Sequence, residues 1–503
     1  MKATSHDLFV PRIEPADIMW SVPPPTLEVV ARTHDVTRVD HPDNLAKTLH
    51  DLIKSSANSV LHILPKDSLL FPVVPQELTA LATPSQVKVT DEYLLPALHQ
   101  ARLIKTPEEL ELIKKANEIS SRAHETVMRV LGAAVRGAIT KGKGAGETRP
   151  VLPGEWLIEK EAEAEAIFVA SCRREGSIHQ AYLPIVAAST RASTLHYCCN
   201  DKEFSWGPVQ PHDYHNRNAF AHGGERELTP QVLLIDAGCE WINYASDSEI
   251  SHFSGRVFSL IDVTHLCIVT RTMPVGNGGK FTPEAKAIYT LVHEMQRLSF
   301  EAIRPGIHWD AIQFICHQTL VRGFQKLGIF KSPNSPGSGS WNSEEAIIAS
   351  GVSAAFFPHG LGHSLGMDVH DVPSASKPLV NPTIPKGQEL GHPDFYTYLR
   401  LRLPLEVGMV VVSTLIRSPS LWSGVLGSYV CNQTVEPGIY FSPHLLAPVR
   451  GSKHIDHDVL ARYESVGGVR IEDVITITEN GFENFTTVRS DVEWLEGVCS
   501  GQL

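Results

Sequence analysis

A chain of 503 residues, 42% hydrophobic and 20% charged, has the length of two or three domains and the balance of a globular enzyme. Its net charge of −12 argues against nucleic acid or an anionic membrane surface as partner, and with no apolar run of about 18 residues a transmembrane helix is not expected. Eight cysteines without a C-x-x-C pair argue against a disulfide framework and a thiolate zinc site. The N-terminus, MKATSHDLFVPRIEP, has no apolar leader, so reduced thiols in a cytoplasmic protein are expected.

Residues 1–104 alternate short apolar runs with turn signals, as in SVLHILP (Ser59–Pro65) and SLLFPVVP (Ser68–Pro75), and predict a small α/β domain. A long helix follows. Thr106 and Glu109 form a capping box and Pro107 takes the first helical position. Ile113, Ala116, Ile119, Ala123, Val127 and Val130 then recur at helical spacing. The domain boundary is placed just before this helix, so that 105–503 form a second domain mixing helices and strands. Its clearest helices are Glu159–Ser171 and Pro283–Ile303, and its clearest strands Gln231–Asp236, Thr434–Phe441 and Gly468–Thr478. Segments 134–157, 200–230 and 331–343, rich in Gly, Pro, Asn and Ser, are expected as loops.

Within this domain, acidic residues interrupt apolar strands. Asp236 ends QVLLID and Asp247 follows eleven residues later, with room for a turn near Trp241. Residues equidistant from such a turn face each other with Cβ atoms ~5 Å apart. Glu436 interrupts the apolar strand of TVEPGIYF, which the following Pro-Gly ends, and Glu472 stands inside GVRIEDVITIT, where Arg470 shares its face by alternation. A carboxylate inside an apolar strand needs a partner, because an unpaired buried charge costs several kcal/mol. The stretch FFPHGLGHSLGMDVHDVP brings His359, His363 and His370 together on backbone loosened by glycine. Such a set points to a metal centre. Four carboxylates and one imidazole are mostly hard donors that suit Mn²⁺, with Co²⁺ as the alternative. They carry more negative charge than one divalent ion needs, which implies two ions roughly 3.5–4 Å apart.

The segments LIDAG, NYASD, PHGLGHSLGMDVHDVP, TVEPGIYF and GVRIEDV together resemble the motifs of the pita-bread metallopeptidases (peptidase family M24B), in the branch of Xaa-Pro aminopeptidases and prolidases. RLIKTPEELELIKKA resembles that branch's domain junction, and the long fungal-type Xaa-Pro aminopeptidases look closest. The resemblance covers most of the chain from residue 101 onward. It implies an N-terminal creatinase-like, ribonuclease-H-like α/β domain and an α+β pita-bread catalytic domain. It further implies that Asp236 chelates one cation, that Asp247 and Glu472 bridge two, and that His363 and Glu436 hold the second. His359 and His370 should line the substrate site, His370 stabilising the developing oxyanion. His196 of STLHY matches a further substrate histidine, Arg470 should hold the neighbouring carboxylate or the substrate, and Glu436 should relay a proton to the departing proline nitrogen. The expected substrates are peptides with proline at position 2, whose missing N–H defeats peptidases that read extended backbone. A homodimer is left open.

The chain departs from the family pattern in three places. SEISHFSGRVFSLIDVTHLCI (248–268) follows Asp247, VSTLIRSPSLWSGVLGSYVCNQ (412–433) precedes TVEPG, and residues near 134–157 look surplus. These stretches read either as translated introns or as surface excursions. The competing functions are an Xaa-Pro dipeptidase, a methionine aminopeptidase, creatinase-like chemistry, and a pita-bread binding protein made inactive by its insertions.

Overall fold

The computed structural model describes residues 5–16, 18–20, 22–54, 59–65, 87–138, 157–204, 231–242, 269–378, 382–385, 387–407 and 432–503. Asp247 and nearly all of the three expected insertions lie outside them. Of the stretch 412–433, only Asn432 and Gln433 are described, as the start of a strand.

The chain divides into two compact units, Met1–Leu98 and His99–Leu503. In the first, β1 (Asp7–Phe9) pairs in parallel with β2 (Arg38–Asp40), and β3 (Ser59–His62) with β4 (Val87–Thr90). Between β1 and β2 runs α1 (Leu27–Thr33), and α2 (Leu45–Lys54) precedes β3. Parallel pairs need crossover connections, so the expected α/β character is present.

The unit boundary falls within α3 (Leu94–Leu103). Helix α4 (Pro107–Val135) begins at the expected cap: Thr106 Oγ1 accepts from Glu109 N at 3.3 Å while Glu109 Oε2 accepts from Thr106 N at 2.6 Å. Ile113, Ala116, Ile119, Ala123 and Val127 are all buried on one face. Helices α5 (Glu161–Arg174) and α6 (Pro283–Ala302) match the predicted segments to within three residues. Helix α7 (Trp309–Leu327) has no counterpart among the predicted elements. Its polar Gln313 and His317 are fully buried beside Ile312, Cys316 and Leu320, which blurs the apolar stripe a sequence reader looks for.

Among the described residues of the second unit the strands form three small sheets. β5 (Ile185–Ala188), β6 (Gln231–Asp236) and β7 (Thr270–Val275) form an antiparallel sheet in which every residue of all three strands is buried. A four-stranded sheet runs in the order β13 (Gly481–Asn484), β12 (Asp473–Thr478), β9 (Asn432–Val435), β8 (Ser364–Leu365). The third pairs β10 (Gly438–Tyr440) with β11 (Gly468–Arg470). Two segments predicted as single strands are therefore each two. TVEPGIYF breaks at Glu436–Pro437 and GVRIEDVITIT at Ile471–Glu472. Pro437 has no N–H to give a ladder, and the backbone of Glu472 turns to exchange both hydrogen bonds with Thr270 instead. Among the described residues no helix is long and apolar enough to cross a membrane.

Candidate metal centre

The two breaks are in register. Val435 lies opposite Asp473 on one side and Gly438 opposite Arg470 on the other. Each strand has two residues in between, so Glu436 stands opposite Glu472 on the same rung. Glu472 is bridged on its other side to Thr270, and Thr270 in turn lies opposite Asp236. One row across the strands thus reads Asp236, Thr270, Glu472, Glu436. Cross-strand neighbours bring side chains within ~5 Å, and the row gathers three carboxylates that are at most 4% exposed. Next to Asp236 stand Ile185 and Thr270, so Thr270 takes the ladder position across from it.

The row continues into the histidine stretch. Glu436 N donates to the carbonyl of Leu361 at 2.6 Å, two residues before His363. His363 is 1% exposed. Its Nδ1 lies 3.0 Å from the carbonyl of Ser364, which can only accept, so Nδ1 carries the proton and Nε2 the lone pair. That Nε2 lies 3.8 Å from Glu436 Oε1. Ligand atoms of His363, Glu436 and Glu472 all fall within 4.8 Å of one another. His370 packs edge-on against His363, ring centres 4.5 Å apart.

Arg470 closes the other side. Its guanidinium donates to Asp236 and, at 2.9 Å, to the Tyr440 hydroxyl. Tyr182 OH donates to Asp236 Oδ1 at 2.8 Å. Because the Tyr440 oxygen accepts from Arg470, its own hydrogen points to His359 Nε2, 2.9 Å away. His359 Nδ1 then donates to the Gly360 carbonyl at 2.9 Å. Both histidine tautomers follow from their neighbours.

Burial sets the charges. It pushes the Glu436 carboxyl up to about 8 and, with Glu436 and Asp236 adding repulsion, Glu472 well above the carboxylate range. It pushes His363 down to about 3, and His359 as well, where Arg470 adds to the effect. Arg470 and, at Glu436, Arg400 offset part of the charge of the three buried carboxylates, and Glu472 Oε1 has no hydrogen-bond partner among the described residues. A hard divalent cation fits this donor set of carboxylate oxygens and one neutral imidazole.

The row opens onto a cleft of about 280 Å³ lined by His196, His359, Tyr398, Arg400, Glu436 and Arg470, with Leu195, Pro358 and Leu445 as apolar wall. Of the residues expected at the site, Asp236, His363, Glu436, Glu472, His359, His370, His196 and Arg470 are gathered here; His196, His359, Glu436 and Arg470 line the cleft, and His370 packs edge-on against His363. Tyr440, Thr270, Tyr182 and Arg400 were not anticipated. Tyr440 stands within TVEPGIYF itself, and an alternation reading of that strand would have found it. Tyr182 carries no local signal.

The comparisons agree with this geometry. The model of metallopeptidase family M24 matches residues 111–268 and 260–479. A protein of Paracoccidioides brasiliensis called probable Xaa-Pro aminopeptidase PEPP is 32% identical over 99% of this chain and 83% of its own length. One of Metarhizium robertsii, with the same description, is 33% identical over 99% and 83%. Aminopeptidase P from Escherichia coli, solved with the inhibitor Pro-Leu, superposes with a TM-score of 0.64 at 24% identity, covering 98% of this chain and 82% of that one. The fold is therefore an N-terminal α/β domain followed by a pita-bread catalytic domain. With more than half of its length matched by the family model and near-complete alignment to relatives above 30% identity, the chain belongs to metallopeptidase family M24.

Proposed function

We propose that this chain is an Xaa-Pro aminopeptidase, a metallo-exopeptidase that releases the N-terminal residue of peptides with proline second. The observation that carries the reading is the cross-strand row of Asp236, Glu472 and Glu436 meeting His363, with Glu436 on the wall of a cleft. The whole-chain likeness to proteins called Xaa-Pro aminopeptidase supports it. Asp236, Asp247, His363, Glu436 and Glu472 would hold two divalent cations, Mn²⁺ before Co²⁺. When bound, such a pair supplies Lewis-acid chemistry that acidifies water and polarises the carbonyl before proline.

The chain's own residues do the rest. Arg470 holds Asp236 in place and, with Tyr440, fixes His359 with its Nδ1 proton turned to backbone. His196 and His359 line the cleft, where they can orient the peptide, and Leu195, Pro358 and Leu445 offer a dry wall to the proline ring. Glu436 faces both the cleft and His363, the position from which a carboxyl can carry a proton to the leaving nitrogen. His370 would stabilise the developing oxyanion.

The test is release of alanine from an Ala-Pro-Ala-type peptide, with Ala-Pro alongside. Chelation should abolish hydrolysis and Mn²⁺ should restore it. Full activity in a metal-stripped sample would sink the reading, and cleavage of Ala-Pro alone would make the enzyme a dipeptidase.

A further inference from the structure

His363 and His370 are joined by a loop that has almost no secondary structure of its own. Strand β8 is two residues long. The loop is closed by Asp371 N donating to the carbonyl of Ser364 at 3.0 Å, so the residue after His363 is tied to the residue after His370. What fills the loop is a charged cluster from the end of α3 and the turn before α4. Lys105 Nζ donates to Asp371 Oδ2 at 2.7 Å and to the carbonyl of Arg102. Arg102 donates to Asp371 Oδ1 and, at 2.6 Å, to Asp368. The side chains of Lys105 and Asp371 are 1% and 0% exposed. The loop backbone is packed onto the pair: a Cβ at Gly366 would come within 2.1 Å of Asp371 Oδ2 and 2.7 Å of Lys105 Cε.

Stability alone does not account for this arrangement. Desolvating a buried ion pair offsets its attraction, and apolar replacements of similar volume are often as stable or more so. An ion pair with both carboxylate oxygens engaged does set position, because each bond fixes a direction. Neither Lys105 nor Asp371 lines the cleft.

We propose that Lys105 and Asp371 are positioning residues: their buried pair sets the spacing of His363 and His370, and through it metal affinity and turnover. The proposal rests on the Xaa-Pro aminopeptidase reading for its activity arm and is independent of it in its metal arm.

The experiment compares Lys105→Met, Gly366→Ala, the double variant Lys105→Met with Asp371→Leu, and the wild-type chain. Each is assayed for melting temperature, for Mn²⁺ affinity by calorimetry, and for kcat and KM on an Xaa-Pro peptide. Lys105→Met should lower kcat about 10²-fold with KM unchanged, as misplacement by an ångström does, and weaken Mn²⁺ binding about tenfold. Gly366→Ala keeps both charges, crowds the pair, and should do the same. The double variant should regain the wild-type melting temperature and keep the low kcat and weak Mn²⁺ binding. A double variant equal to wild type in kcat and Mn²⁺ affinity, or losses that follow melting temperature across all variants, would overturn the proposal. Wild-type protein inactive on every Xaa-Pro peptide would overturn the functional reading instead, and the Mn²⁺ affinities would still decide this one.

Discussion

The two sides of the metal centre are built by different means. Asp236 ends strand β6, Glu436 and Glu472 stand in the matched gaps beside β9 and β12, and the hydrogen-bond ladder that aligns β6, β7, β12 and β9 also spaces their carboxylates. His359, His363 and His370 sit on loops, where single side chains hold the backbone. Gln313 accepts from Leu361 N at 2.7 Å and donates to the carbonyls of Phe395 at 2.8 Å and His359 at 3.3 Å. Lys105 and Asp371 hold the far end. A ladder spreads its tolerance over many bonds, whereas a clamp concentrates it in one residue. The strand side should respond to loss of its own ligands, and the loop side also to loss of residues that touch neither metal nor substrate.

The sharpest contrast lies in the ligands. Glu472→Gln keeps the ladder and removes a buried charge, and should leave less than about 10⁻³ of wild-type activity together with reduced metal content by atomic emission. Metal retained at wild-type level would remove Glu472 from the ligand set. On the loop side the two histidines should separate. His363→Ala loses metal, while His370→Ala keeps it and loses about 10²–10³ in kcat. Equal metal loss in both would mean that their roles are wrongly divided.

Gln313→Leu tests the clamp directly. It strips partners from the buried Leu361 amide and the Phe395 carbonyl, at about 1–3 kcal/mol for each group left unsatisfied. Urea unfolding should show that loss, and kcat should fall more than KM changes. Unchanged turnover would mean that the loop holds its shape without Gln313.

The smallest effect is in pH. His317 stacks on Phe395 with ring centres 3.7 Å apart, its Nδ1 3.0 Å from Ser353 Oγ. Burial, with His359 adding to it, pushes its pKa down to about 3. The unfolded chain takes up a proton there below the ordinary value of 6.5 and the folded chain does not, so stability is full above that value and falls as pH drops toward 3. His317→Gln should flatten the decline in melting temperature between pH 6.5 and about 4. An identical slope in both proteins would show that other groups set it.

Much of this was legible in the sequence. The Thr106–Glu109 cap, the buried face of α4 and strand Gln231–Asp236 all follow from local rules. The acidic residues inside apolar strands pointed to the site because a carboxylate buried without a partner is costly and a bound cation removes that cost. The strand break at Ile471–Glu472 escaped the sequence reading. Period-two alternation records which face a residue takes, not which neighbour its backbone chooses, and Glu472 chooses Thr270, about 200 positions away in the chain. The clamps were equally hidden. Lys105 and Asp371 are 266 residues apart, and nothing local to either shows that they meet. Asp247 lies beyond the described residues, and its part in the site remains a proposal.

The matched gaps at Glu436–Pro437 and Ile471–Glu472 have a consequence for how such a centre can change over evolutionary time. The separation of the two glutamates is fixed by backbone pitch, about 3.3 Å per residue. Gaining or losing one residue in either gap would not nudge a carboxylate; it would bring Pro437 or Ile471 to the rung instead. Here the site is digital. Substitution can retune its chemistry in small steps, but chain length in these two gaps admits only the value it has.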